Sequence, residues 1–371
     1  MAERTRRLRR RLLLVSRRQL DPGSARRDGR HRGEPALTVA AAPATNDRQA
    51  ARDRAVLAVA LVILLFLAVV STFIGASSVT PAAVLRGDDL ALDLLTTSRI
   101  PRTIAIILAG SAMAVAGLTM QTLTRNRFVA PDTAGTLDAA TLGLVLGALY
   151  VPSAPIYLRM VITVLFALAG TGLFLVLLQR LQFRDIVVVP LMGLMLGAVF
   201  NAASVFLAYR AGLLQTLVTW ISGDFSGTLR GRYELLYIVA ALTILTYWFA
   251  ERFTIAGMGR EFAVNLGLDH SRTVLIGMGL VASSSAVVVV VVGEIPLLGL
   301  VVPNIVTLAF GDRLRRVLPI AAISGAILLL LADIGSRTVR HPYEIPVGVI
   351  LGVVGGCAFL GLLLRTRGRV G

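Results

Sequence analysis

Ten stretches of mostly apolar residues follow one another through the chain, at 55–75, 103–124, 139–151, 160–179, 186–209, 235–250, 273–293, 295–311, 317–332 and 345–364. A helix needs roughly 20 such residues to cross a bilayer, and only helices and closed barrels satisfy their backbone groups there. The runs are continuous rather than alternating, which argues against a β-barrel. The expected fold is all-α: a polytopic integral membrane protein with about ten transmembrane helices, the shorter ones tilted, broken or covered by neighbours. Glycines recur four apart at Gly143/Gly147, Gly193/Gly197 and Gly348/Gly352/Gly356. That spacing lets helix backbones approach closely, and packing is the preferred reading.

Charge collects at the ends of these runs. All 37 basic residues are arginine, and the formal net charge is +16. Residues 1–54 hold 15 arginines against six acids, whereas the other 317 residues hold 22 against 15. The first segment is rich in Gly, Pro, Ala and Ser and has no sustained apolar period. It is read as a disordered cytoplasmic tail, 1–54, ahead of a transmembrane domain, 55–367. A nucleic-acid arm is disfavoured because no folded DNA-reading module follows. A twin-arginine export signal at Ser16–Leu20 lacks the prompt apolar core such signals need. Contact of Arg4–Arg18 with anionic lipid and an over-extended start both stay open. With this tail inside, alternation through ten spans places 13 of the remaining arginines inside and nine outside. Counted with the tail, this satisfies the positive-inside rule and puts both termini in the cytoplasm.

Several chemistries are excluded. A chain without lysine has no phosphate loop of the Gly-x4-Gly-Lys-Ser/Thr type, so ATP hydrolysis has to come from elsewhere. One cysteine, Cys357, and three dispersed histidines offer no metal-ligand spacing. No nucleophile–base grouping stands out. Asp138, Glu294, Asp333 and Glu344 fall near span ends and are read as helix caps or loop contacts rather than proton relays. An ion-coupled secondary transporter of a small metabolite is the alternative to a partner-driven conduit.

Specific strings go further. Ser98-Arg99-Ile100-Pro101-Arg102 opens the second run and leads into Leu108-Ala109-Gly110 and Gly117-Leu118-Thr119-Met120-Gln121. Arg125-Asn126-Arg127-Phe128-Val129-Ala130-Pro131 follows; later come Gly299-Leu300-Val301-Val302-Pro303-Asn304, Ala332-Asp333-Ile334 with Arg337, and Glu344-Ile345-Pro346-Val347-Gly348. In this order they resemble the FecCD-type permeases, membrane subunits of ABC importers for iron-siderophores, haem and vitamin B12. The resemblance covers essentially 55–367 and implies a BtuC-like bundle. Many members have Pro-His where this chain has Pro303-Asn304. With Gly223-Asp224-Phe225-Ser226 and Phe253–Gly259, that departure resembles the branch serving catecholate-type siderophores such as vibriobactin, anguibactin and petrobactin.

The resemblance also implies partners. These are an extracytoplasmic siderophore-binding protein, ABC ATPase subunits on which ATP and Mg act, and a second permease, either a copy or a paralogue. No cofactor is held by this chain itself, and no nucleic acid is bound. The setting is the bacterial plasma membrane. Arginines that meet glutamates of the binding protein match Arg99, Arg102 and Arg337, with Arg340 a nearby candidate lacking family support. The ATPase-coupling loop matches Met258–Gly267, where Gly259, Ala263, Leu266 and Gly267 are the expected contacts. The span at 186–209 lines the channel in relatives, which makes Gly197, Asn201 and Ser204 candidates for the pathway, although helix packing explains them equally well.

Overall fold

The computed structural model describes residues 44–75, 80–180, 187–231, 233–340 and 343–367. It separates into a unit ending at Ala50, described only over Ala44–Ala50 as helix, and a compact unit from Ala51 onward. Among the described residues every regular element is helical. The main helices are α1 (Ala44–Phe73), α2 (Ile100–Thr124), α3 (Thr136–Tyr150), α4 (Ile156–Arg180), α5 (Val188–Arg210), α6 (Leu214–Ile221) and α7 (Leu236–Trp248). They continue with α8 (Ala250–Gly257), α9 (Arg260–Asn265), α10 (His270–Val292), α11 (Leu298–Phe310), α12 (Leu314–Thr338) and α13 (Val347–Arg367).

Each of the ten apolar runs has its own helix among these elements, whereas α6, α8 and α9 correspond to none of them. Among the described residues six helices are long and apolar enough to cross a membrane alone, and α7 with α8, bent by 59°, forms either a broken seventh span or a re-entrant loop. The other three, within α3, α11 and α13, are shorter apolar helices. The expected tail boundary at residue 54 does not coincide with the start of a helix. Residues 44–54 are already helical, because the stretch after Pro43 lacks Gly and Pro and is rich in Ala and Arg. Residues 1–43 of the expected tail lie outside the described residues.

At the centre, α2 is enclosed on all sides, as an evenly apolar helix should be. It packs against α7, α8, α10, α11 and α12, whereas α3, α4 and α5 pack on one another. Helix α10 touches both groups. Two crossings rest on glycine. A side chain at Gly110 would meet the Gly325 carbonyl of α12 at 2.7 Å, and one at Gly117 would overlap the Gly299 backbone of α11. The spaced glycines behave as packing devices only in part. Gly143 backs onto Phe166 and Gly193 onto Thr133 and Ala134, but Gly352 and Gly356 have nothing within 4 Å.

Between α2 and α3, residues 126–135 fold back into the bundle as irregular chain, ended from helix by Arg125 in the left-handed region and Pro131. Val129, Ala130 and Ala134 are fully buried there. Side chains stand in for the missing helical bonds. Asn126 Oδ1 accepts from Phe128 N at 2.9 Å, and Thr133 Oγ1 accepts from Ala130 N at 2.8 Å while donating to Phe128 O at 3.0 Å. Asn304 Nδ2 donates to both Arg127 O and Leu300 O at 2.8 Å. The Pro303-Asn304 departure therefore has a physical role: its amide stitches α11 to the irregular segment.

A Gly117→Val change is expected to cost about 1–3 kcal/mol through overpacking. It should lower the thermal midpoint of the detergent-solubilised protein, whereas Gly352→Val leaves it unchanged.

Candidate functional site

At the end of the bundle where α1 and α12 finish and α2 begins, five ionisable side chains meet. Pro101 sits in the first turn of α2, as its fixed φ favours, and carries Arg99 and Arg102 to that end. Arg102 donates through Nε and Nη2 to Asp333 Oδ1 at 3.1 and 2.8 Å, and through Nη1 to Glu344 Oε2 at 2.7 Å. Asp333 pairs through its other oxygen with Arg337, one turn further along α12. Arg337 in turn reaches Ser71 Oγ at 2.6 Å and Ser71 O at 3.0 Å, and Arg99 Nη1 donates to Ile74 O at 2.9 Å. Two guanidiniums thus bind the last carbonyls of α1, where a cation also complements the helix dipole.

All three expected docking arginines are brought together, but they do not project as free forks. Arg99, Arg102 and Arg337 are 8%, 6% and 3% exposed. Asp333 is a buried bridge between two arginines rather than a helix cap, and removing one partner would leave it uncompensated in a dry site. Arg340 is exposed and stacks over Tyr343 instead of joining the cluster. Sequence reasoning missed Ser71, Ile74 and Gly75. The Arg99 guanidinium lies in the space that a Cβ at Gly75 would take, so a larger residue there would displace it. Asp333 and Arg337, four apart on one helix, were the legible half of the network.

At the opposite end of the bundle, Gly259 with φ of 121° starts the short helix α9 and Gly267 with φ of 75° follows it, both conformations that favour glycine. Phe262 and Leu266, four apart, are 48% and 59% exposed, and Met258 and Val264 are exposed beside them. Ala263 is fully buried, so it seats α9 on the bundle and is not part of the exposed apolar face.

Of the expected pathway residues, Gly197 and Asn201 gather at one place and Ser204 does not. Asp138 hydrogen-bonds Asn201, and any side chain at Gly197 would overlap Asp138 Oδ2. Ser204 is buried and donates back into its own helix, to Phe200 O at 2.9 Å. Asn201, Asp132, Asp138 and Glu294 line a cavity of about 430 Å³. Glu294 accepts from Thr141 Oγ1 at 2.7 Å and Asp132 from Leu297 N at 2.9 Å. Asp138 and Glu294 therefore face a shared cavity, whose wall also holds Leu137, Leu194 and Pro296, rather than capping helices. Among the described residues, no group of three or more His, Cys, Asp or Glu side chains is placed to hold a metal ion.

The chain matches known proteins over most of its length. It is 42% identical over 306 residues to the petrobactin import system permease protein of Bacillus subtilis, covering 82% of this chain and 97% of that one. It is 41% identical to the ferric-anguibactin transport system permease protein of Vibrio anguillarum, covering 80% and 94%. A petrobactin import system permease protein of Bacillus anthracis is 39% identical, with 83% and 91% covered. In fold, the chain matches a solved ABC transporter structure, described as metal-chelate type and inward-facing, with a TM-score of 0.73 over 84% of this chain and 99% of the other at 22% identity. The model of the FecCD transport family matches residues 61–365. This multi-pass membrane protein belongs to the FecCD transport family.

Proposed function

We propose that this chain is the membrane-spanning permease subunit of an ABC importer that carries a ferric siderophore, of catecholate type, across the bacterial plasma membrane. The observation that carries this reading is the match, at 39–42% identity over nearly their whole length, to permeases for petrobactin and ferric anguibactin. In this reading an extracytoplasmic binding protein delivers the siderophore to the Arg102 end of the bundle. Separate ATPase subunits bind the Gly259 end and hydrolyse ATP with Mg, and this chain contributes no catalytic residue. A second permease, identical or paralogous, completes the channel, since a metal-chelate complex exceeds what one closely packed bundle admits.

The residues support such a division. Exposed apolar side chains on and beside a short helix, Phe262 on α9 with Met258 and Leu266 flanking it, suit a cleft on a partner, in the manner of a helix laid in a groove. The arginine cluster holds three guanidiniums against two carboxylates, and guanidiniums favour carboxylates in forked contacts. In this reading its surplus positive charge faces the binding protein.

Affinity purification of the tagged permease in mild detergent should recover ATPase subunits, and the binding protein when siderophore is present. Uptake by vesicles that depends on a proton gradient and proceeds without ATP would overturn the assignment. Arg99→Gln should weaken binding-protein affinity by about tenfold, the scale of a desolvated charge contact, while the exposed Arg210→Gln has no effect. Arg102 is a poor probe, because its loss strands Asp333. Leu266→Glu should leave folding intact yet separate ATP hydrolysis from uptake, measured on the reconstituted complex; normal transport by this variant removes α9 from the coupling interface.

A further inference from the structure

Arg102 is shared between two carboxylates of unlike standing. Asp333 is fully enclosed and gripped on both oxygens, by Arg102 and Arg337. The Glu344 side chain keeps 25% of its surface open to solvent and meets Arg102 on Nη1 alone. Nε and Nη2 of Arg102 face the enclosed aspartate, so an acid arriving from outside the protein reaches this guanidinium on the side that Glu344 occupies. Exchange of one carboxylate for another there leaves the charge balance of the buried cluster unchanged.

Glu344 lies on a short strap leading into α13. Ile345 N donates to Ser336 O at 3.1 Å, and Gly348 N donates to Gly223 O at 3.2 Å. Gly348 lies so close to Ser222 that a side chain would overlap its carbonyl, and Gly223, with φ of 62°, is pressed in turn against Glu294 O. Five residues of chain, Glu344 to Gly348, therefore connect the outward nitrogen of Arg102 to the end of α6 and to the rim of the acid-lined cavity.

We propose that Glu344 is a resident stand-in for the docking carboxylate. An acidic side chain of the binding protein takes its place on Arg102, and the released strap loosens its hold on Ser222 and Gly223 at the end of α6. Docking is thereby registered at the cavity by an exchange of partners rather than by a new charge. This rests on the docking reading of the arginine cluster.

The test uses the solubilised complex of permease and ATPases, with the binding protein recovered by the purification above. Glu344→Gln removes the competing charge at nearly constant size. It should raise binding-protein affinity about three- to tenfold, the range expected for loss of a partly exposed ion pair, and raise ATP hydrolysis in the absence of binding protein. Should that variant fold poorly, Glu344→Asp retains the charge but retracts it by one methylene, and a smaller rise is expected. Unchanged or weaker affinity in the folded variants, with Arg99→Gln still impairing docking, overturns the stand-in. Higher affinity without any rise in hydrolysis overturns the link to α6. Loss of the Arg99 effect itself would instead remove the docking reading.

Discussion

Backbone N–H and C=O groups inside an apolar bundle have no water to turn to, so each needs a partner within the protein. The segment 126–135 is where this requirement is hardest to meet, and the surrounding architecture follows from how it is met. Asn126, Thr133 and Asn304 supply the hydrogen bonds that helix geometry would otherwise supply, and Asp132 accepts the amide of Leu297 at the start of α11. Because irregular chain fills part of the depth, α3 and α11 stay short, at 15 and 13 residues. Their ends meet where the acid-lined cavity opens, so the packing device and the polar cavity have a common origin.

The second organising contact is the pairing of Asp333 with Arg102 and Arg337. A carboxylate with no exposure is tolerable only when both oxygens are answered, and here each oxygen has its own guanidinium. The same arginines reach Ser71, Ile74 and Glu344, so one buried aspartate indirectly orders the end of α1, the start of α2 and the approach to α13. Because these guanidiniums tie helices together, the three arginines are almost fully buried rather than standing free at the surface.

The longer helices were legible in the sequence because each is a continuous apolar run, and each of the ten runs has its counterpart. The turn at Gly259 and the exposed Phe262–Leu266 pair were legible too, since spacing of four on a short helix is a local property. The burial of Arg99 and Arg102 was not. Arg102 and Asp333 are 231 residues apart in the chain, and no local pattern announces their meeting. Asp138 and Glu294 looked like span-end caps for the same reason: the cavity they share exists only after α3, α5 and the turn before α11 assemble. Ser204 shows a local feature that the sequence does not reveal. A hydroxyl on a helix facing the expected pathway satisfied its own backbone instead, a choice that local geometry allows and composition does not reveal.

The division of the bundle into two groups bridged by α10 has a mechanical meaning. Helix α2 is clasped by α7, α8, α11 and α12, whereas α3, α4 and α5 hold one another. Any displacement of one group against the other is a movement over the surface of α10. Midway along it runs Ala282-Ser283-Ser284-Ser285-Ala286, a stretch without a single bulky side chain. Small residues let neighbouring backbones come close, so Ala282, Ser285 and Ala286 lie fully buried in the seam where α10 joins the two groups.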